Sequence, residues 1–269
     1  MVRRGPPAPV PKPHPTPGTP DLGPRPCGAA GAPRDQKLLT VARIQLEHTL
    51  TAMLHLTCVN ATRAQIAEVV AQAKALGINN ILALRGDPPG GTGEFKKTEG
   101  GFEFSHELVS YLHGLGGFSI GTAGFPEGHI ACQEGKFVDW QRLKAKIDCG
   151  ADFVVTQLFF DNADFFEFRD YLAKLGVRVP IVAGILPIIG TAQLKRFTAL
   201  CGAKIPAALL AKLESFGPDD AAPTEFRRRF PTRPRDALIR PALPGLTCQP
   251  PTNAPSLHHT VQKPIPALS

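Results

Sequence analysis

From Gln36 to Phe216 the chain alternates stretches of helical period with short runs that are apolar at every position. This alternation restricts the fold more than any other feature. The apolar residues Leu38, Leu39, Val41, Ala42 and Ile44 mark a first helix, and Ala52 to Val59 reads as a buried strand. Asn60 or Thr62 caps the next helix, whose face is Ile66, Val69, Val70 and Ala73 and whose end is Gly77. A second strand follows over Asn80 to Leu84. The unit then recurs: helix 105–115, strand 118–123, helix 137–149, strand 152–158, helix 162–175, strand 180–185, helix 191–201. Runs such as Ile81-Leu82-Ala83-Leu84 and Phe153-Val154-Val155 are apolar on both faces, as strands of a parallel sheet covered by helices must be. A doubly wound nucleotide fold would announce itself by GxGxxG between a strand and its helix. The nearest approach, Gly114-Leu115-Gly116-Gly117, lies between a helix and the following strand and reads as a helix-ending turn. The expected class is therefore α/β, with a TIM-type (β/α)8 barrel preferred.

The flanks have a different composition. Of 28 prolines, eleven lie in residues 1–35, eleven after Gly217 and six between. Proline at nearly every second position from Pro6 to Pro17 removes the amide donors that helix or sheet needs, so residues 1–35 and 217–269 are expected to be disordered tails around a 36–216 domain. The net charge of +7 divides the same way, with +3 on each tail and only +1 on the middle. A nearly neutral folded part argues against a nucleic-acid partner, which would require a basic patch on the structured surface. The six cysteines form no CxxC or His-spaced cluster, so no metal is expected and a reducing, cytoplasmic setting fits best. Nowhere is there an apolar run long enough for a membrane span.

In a parallel barrel the chemistry gathers where strands end. His55 and Thr57 fall near the end of the first strand, Arg85-Gly86-Asp87 closes the second, Thr156-Gln157 the fourth and Gly184-Ile185-Leu186-Pro187 the fifth. Each alone has a plainer account: a buried His or Gln is commonly a satisfied core residue, and Arg85 beside Asp87 makes a local ion pair. The loop Pro88 to Gly93 is rigid at first and glycine-rich afterwards, which suits either a close approach to a ligand or an ordinary surface connection.

Five segments, His55-Leu56-Thr57-Cys58, Leu82-Ala83-Leu84-Arg85-Gly86-Asp87-Pro88-Pro89, Phe125-Pro126-Glu127-Gly128-His129, Thr156-Gln157-Leu158-Phe159-Phe160-Asp161 and Gly184-Ile185-Leu186-Pro187, resemble methylenetetrahydrofolate reductases in order and spacing. The resemblance implies an oxidoreductase that takes reducing equivalents from NADH or NADPH through FAD to 5,10-methylenetetrahydrofolate, giving 5-methyltetrahydrofolate for methionine synthesis. On matched positions it implies that His55, Arg85, Gly86, Asp87, Phe104, Ser105, Phe125, His129, Asp139 and Lys146 contact FAD. Asp87 would be the catalytic group and would also face the folate substrate, with Gln157, Gln193 and Phe197. Family members are often oligomeric, so a homo-oligomer is expected.

The resemblance also has gaps. Phe104 and Phe125 stand where a tyrosine is common, and Arg142 and Ala145 replace family positions near the cofactor phosphates. The family's opening strand, FEFFPPK-like and carrying a catalytic glutamate, has no counterpart, since residues 1–35 contain no glutamate. A VTYGAGG-like second strand is missing too, and Pro244 to Pro251 stands where an FHFYTLN-like eighth strand belongs. Both tails have the Pro, Arg, Ala and Gly content of GC-rich coding sequence read out of frame. The expectation is an incomplete barrel with weak or absent reductase activity. The alternative is a non-catalytic flavin- or folate-binding remnant of the same family.

Overall fold

In a computed structural model of the chain, residues 38–43, 45, 52–87, 96–185, 191–216 and 246–248 are described. All lie in one compact unit, Pro33–Ser269. Five strands alternate with helices: β1 Met53–Thr57, α1 Arg63–Ala75, β2 Asn80–Leu84, α2 Ser105–Leu115, β3 Ser119–Gly124, α3 Lys136–Asp148, β4 Phe153–Thr156, α4 Asn162–Lys174 and β5 Ile181–Ile185. Helices α5 Thr191–Cys201 and α6 Ala207–Glu214 follow, then β6 Leu246–Cys248. Residues 38–43 are helical ahead of β1.

The sheet runs β1-β2-β3-β4-β5-β6 with every neighbouring pair parallel. Strands in chain order, each returned by a helix, make the progression of a (β/α)8 barrel, here over six consecutive strands. The expected elements recur within a few residues, α2 and α5 at the limits read from sequence. Two were not expected. One is α6. The other is β6, which corrects the reading of residues 217–269 as wholly without structure: Leu246, Thr247 and Cys248 pair with Ala183, Gly184 and Ile185. Three residues among prolines are too few to display a period of two, and the partner edge of β5 selects them instead.

Local chemistry sets the limits of the helices. Thr62, not Asn60, caps α1 through a reciprocal box: its hydroxyl accepts the Gln65 backbone N–H at 3.2 Å while the Gln65 side-chain Oε1 accepts the Thr62 N–H at 3.0 Å. The Asp161 carboxylate accepts the Ala163 N–H at the start of α4. Gly116, with φ +66°, ends α2, as the turn reading requires.

Alternate strand residues face opposite sides of the sheet. Leu54, Leu56, Ile81, Ala83 and Ile120 pack with Ile66, Val70, Leu108 and Leu112 of α1 and α2. Val154, Ile181 and Ala183 pack with Trp140, Leu143, Phe165, Phe168 and Leu172 of α3 and α4. Between these two cores, the helix-facing side of β3 places Ile120 in the first and Gly124 against Phe168, Leu143 and Val154 of the second. Thr122 sits between them, fully buried, its hydroxyl without a partner among the described residues. The other face carries His55, Leu82, Gly121, Phe153, Val155 and Val182 toward the barrel interior. A Cβ on Gly121 would lie 2.5 Å from the Phe153 ring, so glycine there is what admits the phenylalanine. Among the described residues no helix is long and apolar enough to cross a membrane.

Candidate active site at the strand ends

The β1–β2 ladder continues past both strands: the Cys58 N–H donates to the Leu84 carbonyl at 3.1 Å and the Val59 N–H to the Arg85 carbonyl at 2.9 Å. Arg85, Gly86 and Asp87 are therefore fixed at the rim over the end of β1. Gly86 has φ +85°, and a Cβ there would lie 2.6 Å from Val59 Cγ1, so both conformation and crowding demand glycine. Arg85 is half-buried and Asp87 exposed. Burial pushes the Cys58 thiol up to about 11, and its S–H points at the Leu84 carbonyl, which makes it an inert part of the wall. Its sulfur is also 3.9 Å from the Phe104 carbonyl, joining the start of α2 to the same rim. Phe104 is exposed and stacks on His106, while the Glu107 carboxylate accepts the Glu103 and Phe104 N–H groups. Ser105 is half-buried at the first position of α2.

The end of β3 turns tightly, the Gly128 N–H donating to the Phe125 carbonyl at 2.9 Å. The same carbonyl accepts the indole N–H of Trp140 at 2.8 Å, so the chain's one tryptophan, wholly buried on α3, fixes the turn. Phe125 and His129 meet edge to face with centroids 4.5 Å apart. The His129 N–H donates to the Asp139 carboxylate at 3.1 Å, and its ring Nδ1 accepts the Ala131 N–H at 3.1 Å, leaving the proton of the neutral ring to Nε2. Asp139 and Lys146 lie two turns apart on one face of α3. The Lys146 ammonium reaches the Ala123 carbonyl at 3.5 Å.

Electrostatics joins these groups into one mouth. Burial lowers the Lys146 ammonium pKa, the Asp139 carboxylate opposes that shift and Arg85 adds to it. Burial also lowers the His129 pKa; Asp139 and Asp87 oppose the shift, and Arg85 and Lys146 reinforce it. Asp139 is raised by its own burial against the pull of the His129 N–H, the His129 ring, Lys146 and Arg142. Arg85 and Asp87 from the end of β2 thus feel His129, Asp139 and Lys146 from the β3 end and α3. Two basic side chains and a histidine face two carboxylates at a partly desolvated rim, an arrangement suited to an anion.

The remaining candidates are placed less uniformly. The Gln157 N–H donates to the Gly124 carbonyl at 2.7 Å, which sets the residue beside the end of β3, and its side-chain oxygen accepts the Leu158 N–H at 2.9 Å. Buried Thr156 accepts the Gly184 N–H on its hydroxyl at 2.9 Å, and a Cβ on Gly184 would run into the Thr156 carbonyl, so TQ and GI interlock. His55 is exposed on the interior face of β1, and Phe197 is half-buried on α5. The Gln193 side chain, the loop 88–95 and residues 186–190 lie outside the described residues. Cys58, Cys132, Cys149 and Cys201 are free thiols, and no three His, Cys, Asp or Glu among the described residues are grouped to hold a metal. Trp140 and Glu107 were not anticipated as parts of the site; the signal for Trp140 was its helical spacing with Leu143 and Ile147.

Fold and site together define a parallel α/β barrel whose rim brings basic side chains, a histidine and two carboxylates together. The family model for methylenetetrahydrofolate reductase matches residues 26–229, wider at both ends than the 36–216 expected from motifs. The chain is 38% identical over 215 residues to methylenetetrahydrofolate reductase (NADH) 1 of Arabidopsis thaliana, covering 76% of this chain and 36% of that protein. It is 41% identical over 177 residues to a probable methylenetetrahydrofolate reductase (NADPH) of Caenorhabditis elegans, covering 65% and 26%. It is 36% identical over 181 residues to 5,10-methylenetetrahydrofolate reductase of Pectobacterium carotovorum, covering 66% and 58%. The chain belongs to the methylenetetrahydrofolate reductase family. It spans about a third of the length of the plant relatives it matches.

Proposed function

We propose that this chain binds FAD at the rim of β2 and β3 and serves the reduction of 5,10-methylenetetrahydrofolate to 5-methyltetrahydrofolate by NAD(P)H. The observation that carries the reading is the electrical coupling of Arg85, Asp87, His129, Asp139 and Lys146 at one partly desolvated mouth. An ammonium whose pKa is lowered by burial gains more from an anion than an exposed one does, and Arg85 and Lys146 would hold the pyrophosphate of FAD. When bound, FAD supplies the hydride relay between nicotinamide and folate.

The chain's own groups bind and orient. Asp139 opposes the loss of charge that burial favours at Lys146 and, through the His129 N–H, holds the turn that presents Phe125 as an apolar edge. Gly86 lets Arg85 and Asp87 pass over β1. His55, Phe104 and Ser105 complete the cofactor contacts. Asp87 is the catalytic carboxylate, facing folate and cofactor together. Gln157, its oxygen held by Leu158, keeps its amide N–H groups for the pterin; Gln193 adds a second amide and Phe197 an apolar face. With no glutamate in residues 1–35 to act as the acid, turnover is slow, since general acid catalysis commonly contributes about 100- to 10,000-fold. A cytoplasmic setting, suggested by the unclustered cysteines, and a homo-oligomeric assembly, suggested by the family resemblance, are parts of the same proposal.

Quenching of flavin fluorescence on titration tests the binding, and oxidation of NAD(P)H with methylenetetrahydrofolate tests the turnover. Arg85→Ala and Lys146→Met weaken FAD each by about tenfold or more, the value of a lost charge-assisted contact. Binding without turnover marks a remnant that has kept its ligands. A wild-type chain that leaves flavin fluorescence untouched refutes the proposal.

A further inference from the structure

Outside the charge network, one half-buried acid joins two parts of the chain that sequence keeps far apart. Glu127 sits in the Phe125–Gly128 turn, and its Oε2 accepts the backbone N–H of Lys204, 77 residues on, at 2.9 Å. Its other oxygen, Oε1, is buried with no hydrogen-bond partner among the described residues. Lys204 belongs to the connection between α5 and α6. The same two segments touch once more, where a Cβ on Gly202 would lie 3.1 Å from Ile130. Around that contact the packing is open: a groove of about 430 Å³ runs between Ile130 and Lys195, Thr198 and Ala203. Apolar packing alone therefore does not hold the turn to the connection.

We infer that Glu127 is a positioning residue whose carboxylate clamps the α5–α6 connection to the β3 turn and so sets the spacing between the two sides of the mouth. The turn carries Phe125 and His129. The connection is continuous with α5, which carries Gln193 and Phe197. The inference rests on the proposed function for what each side binds, but the clamp itself is independent of it. The cost of the arrangement is visible in the acid: burial raises the Glu127 pKa, and Asp161 and Asp164 raise it further, against the Lys204 amide and ammonium. A carboxylate kept where burial and two neighbouring carboxylates disfavour it is accounted for by the amide it holds.

The clamp is tested with Glu127→Ala and Glu127→Gln in the full chain. Amide hydrogen exchange at Lys204 accelerates about tenfold or more in the alanine variant, as expected for loss of a hydrogen bond to a charged acceptor, and stays near wild type with glutamine, which keeps an acceptor oxygen. The FAD dissociation constant and the folate KM both rise, each about three- to tenfold, in Glu127→Ala and recover in Glu127→Gln. Unchanged Lys204 exchange in Glu127→Ala overturns the inference. So does unchanged FAD affinity and folate KM in a chain that binds both, or a glutamine variant that behaves as badly as alanine or fails to fold. If wild type binds neither FAD nor folate, the functional proposal falls, and Lys204 exchange still decides the clamp.

Discussion

Gly86 and Gly176 have nearly the same backbone, φ +85° and +84°, but opposite surroundings. An alanine Cβ at Gly176, past the end of α4, meets nothing within 4 Å, whereas at Gly86 it lies 2.6 Å from Val59 Cγ1 and 3.1 Å from Thr57 Cβ. Both substitutions incur the left-handed penalty of about 1–2 kcal/mol. Only Gly86→Ala adds overpacking, about 1–3 kcal/mol, because the atoms in the way are branched side chains locked by the β1–β2 ladder. The expected losses are about 1–2 kcal/mol for Gly176→Ala and about 2–5 kcal/mol for Gly86→Ala. Urea denaturation followed by circular dichroism measures both, and thermal midpoints should separate by about 2–4 °C per kcal/mol of difference. Gly86→Ala should also weaken FAD, since relief of the clash displaces Arg85 and Asp87, whereas Gly176→Ala should leave FAD affinity alone. Equal destabilisation by the two variants would refute the account of Gly86, because it would mean that backbone conformation alone sets the cost.

Thr156→Val leaves the Gly184 N–H without its acceptor in a buried place and should cost about 1–3 kcal/mol in urea denaturation, while Thr156→Ser, which keeps the oxygen, should cost less. Lys146→Met should stabilise the apoprotein at neutral pH while weakening FAD. Because burial holds the folded pKa of Lys146 below 10.5, the unfolded chain binds more protons in the window between the two values; wild-type stability gains there as pH rises, and thermal melts of the methionine variant should lack that gain. Asp139→Asn removes the main support of the His129 cation, so the His129 titration, followed by NMR, should move further below 6.5. The same depressed pKa means His129 contributes stability above 6.5 that is lost as pH falls through 6.5 toward its folded value, which acid-side melts of wild type against His129→Gln would detect.

The parts that could be read from the chain were those in which the deciding partner is close in sequence. Gln65 lies three residues from Thr62, Gly116 directly follows α2, and the uninterrupted apolar run of β2 needs no knowledge of its neighbours to be read as buried. What escaped depends on what lies across the structure. Three residues of β6 carry no period and become a strand because β5 offers an edge. Trp140 looked like one more apolar helix position, and its use as a donor to Phe125 appears only once α3 is laid over β3. Glu127 was visible as part of a motif, but its partner is 77 residues away. Convergence of Arg85 with His129 and Lys146 follows from the parallel pairing of β2 with β3, which brings their ends to one side. Spacing did not single out Asp139 and Lys146 on α3; the resemblance to a family supplied them, as it did the other cofactor positions.

Thr122 has a consequence for how the molecule yields. A hydroxyl with no hydrogen-bond partner among the described residues, set where two apolar cores abut along β3, is a weak seam in an otherwise continuous wall. Local opening of a protein follows such lines, so β1 and β2 with their two helices should exchange amide protons as one cooperative block, and β4 and β5 with theirs as another. The cations of the mouth lie on both sides of that line. A ligand that bridges Arg85 and Lys146 would therefore act as a rivet across the seam, and the slowing of exchange it causes should be greatest at the junction of the two blocks.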